Sequence, residues 1–255
     1  MILTPSQLVL KNYIWRYNMN KTLWKKVHDA SKKHKEWSMI LTDYLSRPVT
    51  WSIIKFTKFT PNQISIFSFL LGIVAAYFLS LGGYRNLVIG ASLAMGYNVL
   101  DMCDGMVARI RNQRSILGHW TDGVFGFILF PIIIVGLSLG IKSSYALLVG
   151  LLAIVSYPLQ YNLIYFYKLE VMKTKEKIDV PSKWESLRYM YGSSFFYIFL
   201  LVAALLNQPW AVLIFWATLG NLYWIALLVM QYRAIRQDEN HAAHEGENQN
   251  KREYA

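Results

Sequence analysis

Apolar residues gather along the chain into six blocks, at 62–81, 87–109, 118–140, 144–165, 191–206 and 210–230, separated by more polar stretches of which 166–190 is the longest. A helix needs about twenty predominantly apolar residues to cross the hydrocarbon core. The pattern therefore predicts an all-α integral membrane protein with six transmembrane helices; the fifth block is the shortest and its edges are the least defined. Ahead of the first block, Trp24, Val27, Trp37, Ile40, Leu41, Tyr44 and Leu45 recur at roughly helical spacing among Lys25, Lys26, Lys32, Lys33 and Lys35. That is the pattern of amphipathic helices lying on a membrane surface, or of a small helical cap that packs on itself. At "FTPNQIS", Thr60 can cap a helix whose first position is Pro61, where a missing N–H costs nothing. The end of the chain, "RQDENHAAHEGENQNKREYA", is polar and aperiodic, and its composition predicts disorder. Three regions follow: an N-terminal amphipathic arm at 1–60, a membrane domain at 61–231 and a polar tail at 232–255. The apolar stretch at 8–15 is interrupted by Lys11 and lacks a small-residue cleavage site, so no cleavable signal peptide is expected.

Composition sharpens this picture. Only 16% of the 255 residues are charged and 55% are hydrophobic, against roughly a quarter charged in a soluble domain. The net charge of +11 would suit nucleic acid in a soluble protein. Here its distribution argues for anionic membrane lipid instead. Eleven Lys and Arg precede Asn62, six lie at 167–190, four follow Met230, and Arg109, Arg111 and Arg114 mark the turn between the second and third blocks. The alternate loops carry Arg85 and Lys142 alone. By the positive-inside bias both termini and the basic turn face the cytoplasm, and nucleic acid is not an expected partner. The single Cys103 excludes an internal disulfide and a multi-cysteine metal site; His241 and His244 read as solvated tail residues.

The candidate chemistry lies in "LDMCDGMVARIRNQRSILGHWTDGVFG", residues 100–126. Asp101, Asp104, Gly105 and Ala108 share one helical face, and Gly118, Asp122 and Gly126 share a face at the start of the next helix. A carboxylate within a span costs several kcal/mol unless paired, coordinated or hydrated. Two readings are open: the aspartates converge on a divalent cation, for which hard oxygen ligands suit Mg²⁺ or Mn²⁺, or Asp101 and Asp104 pair with Arg109 and Arg111. The small residues Gly105, Ala108 and Gly118 permit either close helix packing or a ligand against backbone. Weaker signals are Asn98, one turn before Asp101; Gln160 and Asn162 after Pro158; and Lys168, Lys173 and Lys175, which suit an acidic headgroup or ordinary positive-inside charge.

"DMCDGMVARIRNQRSILGHWTD" resembles the signature of the CDP-alcohol phosphotransferase (CDP-alcohol phosphatidyltransferase) family, D-x-x-D-G-x-x-A-R-x8-G-x3-D-x3-D. Asp101, Asp104, Gly105, Ala108, Arg109, Gly118 and Asp122 match in identity and spacing, and "TPNQIS" is similar to the family's usual opening of the first span. The last aspartate of the signature is replaced by Gly126. The resemblance covers roughly residues 46–230. It implies transfer of a phosphate-linked group from a CDP donor to an acceptor alcohol with release of CMP, in phospholipid or surface-polymer headgroup synthesis, by a membrane homodimer. It further implies that Asp101, Asp104 and Asp122 hold Mg²⁺ or Mn²⁺, and that Asp104, Gly105, Ala108, Arg109 and Gly118 meet the nucleotide, with Pro61 and Asn62 as further contacts. In the family the final aspartate is taken as the base. Its absence leaves Asp122, His119, a water or the acceptor's own phosphate for that task; His119 also reads as a plain interfacial residue. The competing expectations are a degenerate member that binds a CDP-linked ligand as a scaffold, favoured by Gly126, and an ion transporter, disfavoured because the charges cluster at one membrane edge.

Overall fold

In the computed structural model, residues 21–32, 34, 36–173 and 193–253 are described, with side chains through residue 237. The stretch at 8–15, Lys175, His241, His244 and the first residues of the fifth apolar block therefore lie outside what is described of structure or side chains. The described elements are helical. They are α1 (21–30), α2 (Trp37–Phe56), α3 (Pro61–Leu81), α4 (Tyr84–Ile110), α5 (Ile116–Gly140), α6 (Ser144–Phe166), α7 (Ser193–Leu205), α8 (Pro209–Phe215) and α9 (Asn221–Glu253). A π-helical turn, Tyr167–Val171, extends α6, and another, Trp216–Gly220, joins α8 to α9.

Four helices are long and apolar enough to cross a membrane: Pro61–Leu81, Ile116–Gly140, Ser144–Val171 and Pro209–Gln237. This makes the chain an integral membrane protein. The second predicted span lies within α4, which has 27 residues but carries Asp101, Asp104 and Arg109 within its last three turns, a polarity that lowers its hydropathy. The fifth is the 13-residue helix α7, shorter than a bilayer crossing requires over its described length. In α9 the helical backbone continues to Glu253 through the polar stretch whose composition predicts disorder; Glu, Gln, Lys and Ala are good helix formers there.

Helix α3 begins as the sequence predicts. Thr60 accepts a hydrogen bond from the Gln63 amide, the Gln63 side chain accepts one from the Thr60 amide, and Pro61 occupies the first turn. Such a cap is worth about 1 kcal/mol. It fixes where the helix leaves the polar edge. From there α3 packs along both α4 and α5, whereas α4 and α5 touch each other at few points. The contact between α3 and α5 is closest at the end remote from the aspartates. A Cβ added at Gly136 would stand 2.4 Å from the Ala76 carbonyl oxygen, and one at Gly140 would stand 2.0 Å from that of Leu79. Only glycine allows the two backbones to meet so closely. Ala75, Ala76, Leu79, Leu129, Ile133, Ile134 and Leu137 fill the core between them.

The arm is inverted relative to an ordinary amphipathic helix. Ser38, Thr42, Ser46 and Thr50, every fourth residue of α2, are buried, and α2 packs on α4. Asn98 donates to Thr42 Oγ1 at 3.1 Å, the Ser46 hydroxyl stands 3.0 Å from the Val99 carbonyl, and Cys103 donates to the Ser46 carbonyl at 3.4 Å. The large residues Trp37, Ile40, Leu41, Tyr44 and Leu45 point outward and are exposed. The outward apolar face suits contact with lipid at the membrane surface, and the seam of small polar groups ties the arm to the bundle.

Candidate active site

The site begins at the end of α4. Asp104 is buried, and the Ser65 hydroxyl of α3 donates to its Oδ2 at 2.5 Å. Asp101 stands one turn earlier on α4, and Asp122 reaches the same point from α5. One carboxylate oxygen from each of the three lies within 4.8 Å of the others. Three like charges so close repel strongly unless a counter-charge joins them. Among the described residues no arginine forms an ion pair with them. Arg109 Nε donates to the Ala30 carbonyl at 2.5 Å, and Arg111 donates to the carbonyls of Phe59 and Thr57. Asp122 Oδ1 is buried and no group among the described residues donates to it. A buried carboxylate oxygen with no donor, beside two further carboxylates, fits a divalent cation. The structure thus separates the two readings that spacing leaves open, in favour of a metal-binding cluster.

The remaining signature residues surround this cluster. Gly105 lies beneath the Arg109 guanidinium, so that an added Cβ would stand 3.2 Å from Nη1. Gly118 faces Asn62 and Ser115: a Cβ there would approach Asn62 Oδ1 to 3.4 Å and Ser115 Oγ to 3.1 Å. Ser115 caps α5 by accepting from the Gly118 amide. Asn62 and Gly118 are therefore neighbours, and Pro61 serves as the first residue of α3. Ala108 keeps the face of α4 one turn beyond Asp104 shallow.

A cavity of about 630 Å³ opens beside the carboxylates. Asp101, Asp122, His119 and Gly126 line it, together with Tyr97, Asn98, Tyr157, Tyr161, Tyr165, Tyr197 and Trp216. A Cβ added at Gly126 would meet no atom within 4 Å, so position 126 looks into open space one turn past Asp122. Asn98 both lines this cavity and holds helices together, since Ser194 donates to its Oδ1 at 3.3 Å. The aromatic wall was not among the expectations from sequence. Its signal was present: Tyr157, Tyr161 and Tyr165 stand four residues apart on α6 and pack ring against ring, with centroids 5.1 and 6.5 Å apart. The π-helical turn that contains Trp216 brings that buried ring into the same wall. Ser65 was likewise missed, although it closes the "TPNQIS" stretch. A second cavity of about 800 Å³, between α6 and α9, has Arg233 and Arg236 among its lining residues and contains none of the signature residues. The chemistry belongs to the first.

Comparison with known proteins agrees with this fold. The bifunctional IPC transferase and DIPP synthase of Aquifex aeolicus (strain VF5) is 27% identical over 177 residues, covering 69% of this chain and 40% of that protein. Its counterpart from Rubrobacter xylanophilus is 33% identical over 94 residues, covering 37% of this chain and 21% of that one. The chain thus spans less than half the length of these relatives. In fold it is similar to Mycobacterium tuberculosis phosphatidylinositol phosphate synthase (PgsA1), solved in complex with manganese and citrate, with a TM-score of 0.54 and 16% identity over 73% of this chain and 88% of that one. The same synthase with CDP-DAG bound gives a TM-score of 0.51 and 17% identity, over 74% and 94% of the two chains. The family profile of the CDP-alcohol phosphatidyltransferases matches residues 58–230, from the start of α3 into α9, and the chain belongs to that family.

Proposed function

We propose that the protein is a membrane-embedded CDP-alcohol phosphotransferase of lipid headgroup synthesis. The observation that carries this reading is the cluster of Asp101, Asp104 and Asp122, with a buried oxygen lacking a donor, at the mouth of an aromatic-walled cavity. The relatives' names, IPC transferase and DIPP synthase, and the CDP-DAG bound to the structural neighbour, support a CDP-linked donor and a lipid product.

In this reading Asp101, Asp104 and Asp122 would hold Mg²⁺ or Mn²⁺, and the bound cation would supply positive charge against that developing on the leaving phosphate. The acceptor oxygen bonds to the phosphorus that carries the donor alcohol, the bond from that phosphorus to CMP breaks, and CMP departs. Ser65 holds Asp104 in orientation. Gly105, Ala108 and Gly118 leave the cytidine room against backbone, with Asn62 beside Gly118. Asp122 takes the proton of the acceptor hydroxyl in the absence of a carboxylate at 126, and His119, on the same cavity wall, is the second candidate. The open space at Gly126 and the tyrosines opposite accommodate the acceptor.

Calorimetry with CDP tests the cluster directly. Binding in Mg²⁺ or Mn²⁺ should exceed binding in chelator at least about tenfold, as for a site whose carboxylates otherwise repel the ligand. Equal affinity in both would remove the metal from the reading. CDP binding without CMP release from any CDP-linked donor would point to the scaffold instead.

The reading also places six spans in the membrane, with both termini and the site facing the cytoplasm, where a CDP-linked donor is available. The distribution of Lys and Arg supports it. Lys58 and Lys142 are both exposed and lie at opposite ends of α3 and α5. A cysteine at Lys142 should react with an impermeant maleimide on intact cells, and one at Lys58 only after permeabilisation. The reverse pattern would put the aspartates on the wrong side. The exposed apolar flank of α6, Leu147, Leu148, Leu151 and Val155, suits lipid or a second copy, and the family resemblance favours a homodimer.

A further inference from the structure

The family match begins at residue 58, yet the strongest contact of the signature arginine is with a residue well before it. Arg109 Nε donates to the carbonyl of Ala30, at the end of α1, at 2.5 Å. We infer that the arm of α1 and α2 is a working part of the donor-phosphate site: it fixes the Arg109 guanidinium in place, with Asp43 as the positioning residue.

The chain of contacts is continuous. Asp43 is buried on α2, and its Oδ2 accepts from Arg47 Nε at 2.9 Å, from Arg47 Nη2 at 2.7 Å and from the Ser31 hydroxyl at 2.6 Å. Ser31 directly follows Ala30, so the same carboxylate that neutralises Arg47 pins the turn whose carbonyl holds Arg109. His28 Nδ1, 3.2 Å from Arg47 Nη1, secures the other side of that turn. The arm itself cannot slide, because Thr42 and Ser46 are bonded to α4 through Asn98, Val99 and Cys103.

This arrangement has a chemical purpose. A guanidinium carries five N–H donors in a rigid fork. The Ala30 carbonyl takes the one on Nε, and the side chain then lies across Gly105 with Nη1 3.2 Å from the position of an added Cβ. The terminal N–H groups are left to present two parallel donors, the geometry that phosphate oxygens accept. Left free, an arginine one turn beyond Asp104 could swing onto that carboxylate and quench the cation site. The Ala30 carbonyl fixes where it rests. Gly105 gains a second role, since any side chain there would push the fork out of place.

The inference rests on the CDP-donor reading, and its test separates the two. The full chain, purified in detergent, is titrated with CDP in the presence of Mn²⁺. Asp43→Asn should weaken CDP binding about tenfold, the worth of one hydrogen bond to a charged group, and Ser31→Ala about threefold. The affinity for Mn²⁺ alone should be unchanged in both. In an Arg109→Gln background, neither substitution should weaken CDP binding further, because Asp43 and Ser31 act through Arg109. Losses that recur in full in that background would show that Asp43 merely supports the fold, and would overturn the inference. So would CDP affinities within twofold of the parent in both single variants. If Asp43→Asn does not fold, Ser31→Ala in the same cycle decides the matter. A parent protein that fails to bind CDP at all would instead sink the donor reading, leaving the arm's contacts unexplained by it.

Discussion

Asp101→Asn and Asp122→Asn are each expected to lower CMP release by roughly a hundred- to a thousandfold, and the double variant to fall little further. The reason is that one oxygen of each residue lies within 4.8 Å of the other two aspartates' ligand atoms. Groups that hold one cation act as a unit, so the first loss removes most of what the second could remove. The measurement is CMP release from CDP-linked donors, paired with Mn²⁺ affinity for each variant. If the two free-energy losses simply add, the residues do not share a centre. Without Mn²⁺ the same substitutions should raise thermal stability, since each deletes one of three mutually repelling charges. That opposite sign distinguishes a metal centre from a set of structural ion pairs, whose loss would destabilise the protein in either condition.

The second large effect concerns Gly126. Because a Cβ there meets nothing within 4 Å and the position lines the cavity with Asp101 and Asp122, Gly126→Asp should be sterically free. In chelator the fourth carboxylate should lower Tm by about 5 °C, as expected for one or two kcal/mol of added repulsion in a chain of this size. Mn²⁺ should restore the loss and stabilise this variant more than the parent. If deprotonation of the acceptor limits the rate, CMP release should rise as well. If the space at 126 instead houses the acceptor, activity falls while the Mn²⁺-dependent stabilisation persists. A variant stabilised by Mn²⁺ no more than the parent would mean that position 126 does not face the cation.

Much of this site was legible in the sequence because its spacing is local. Asp101 and Asp104 need only a helix to share a face, and Asp122 needs only the short turn at 111–115 to return beside them. The capping of α3 was legible for the same reason, Thr60, Pro61 and Gln63 being adjacent. What escaped depended on distant packing. Nothing near Arg109 in sequence announces that Ala30, seventy-nine residues earlier, supplies its hydrogen-bond acceptor. The inverted face of α2 escaped because large apolar residues are the conspicuous ones. Ser38, Thr42, Ser46 and Thr50 recur every fourth residue with equal regularity, but small polar side chains signal burial only once their partners on α4 are known. In the structure α4 and α5 meet at few points besides these carboxylates, and α3, packed along both, contributes Ser65 to the cluster.

The near-contact of α3 and α5 backbones at Gly136 and Gly140 has a mechanical consequence. At that end the two helices have no side chains to yield, so sliding or separating them means breaking backbone packing. At the other end the two helices meet through side chains, with the Phe69 and Phe125 rings stacked at 4.3 Å and Asn62 beside Gly118. The pair is therefore joined backbone to backbone at the end away from the carboxylates and side chain to side chain near them. Substitution of Gly140 by alanine, far from the carboxylates, would force the α3 and α5 backbones apart and should lower Tm without touching the site directly.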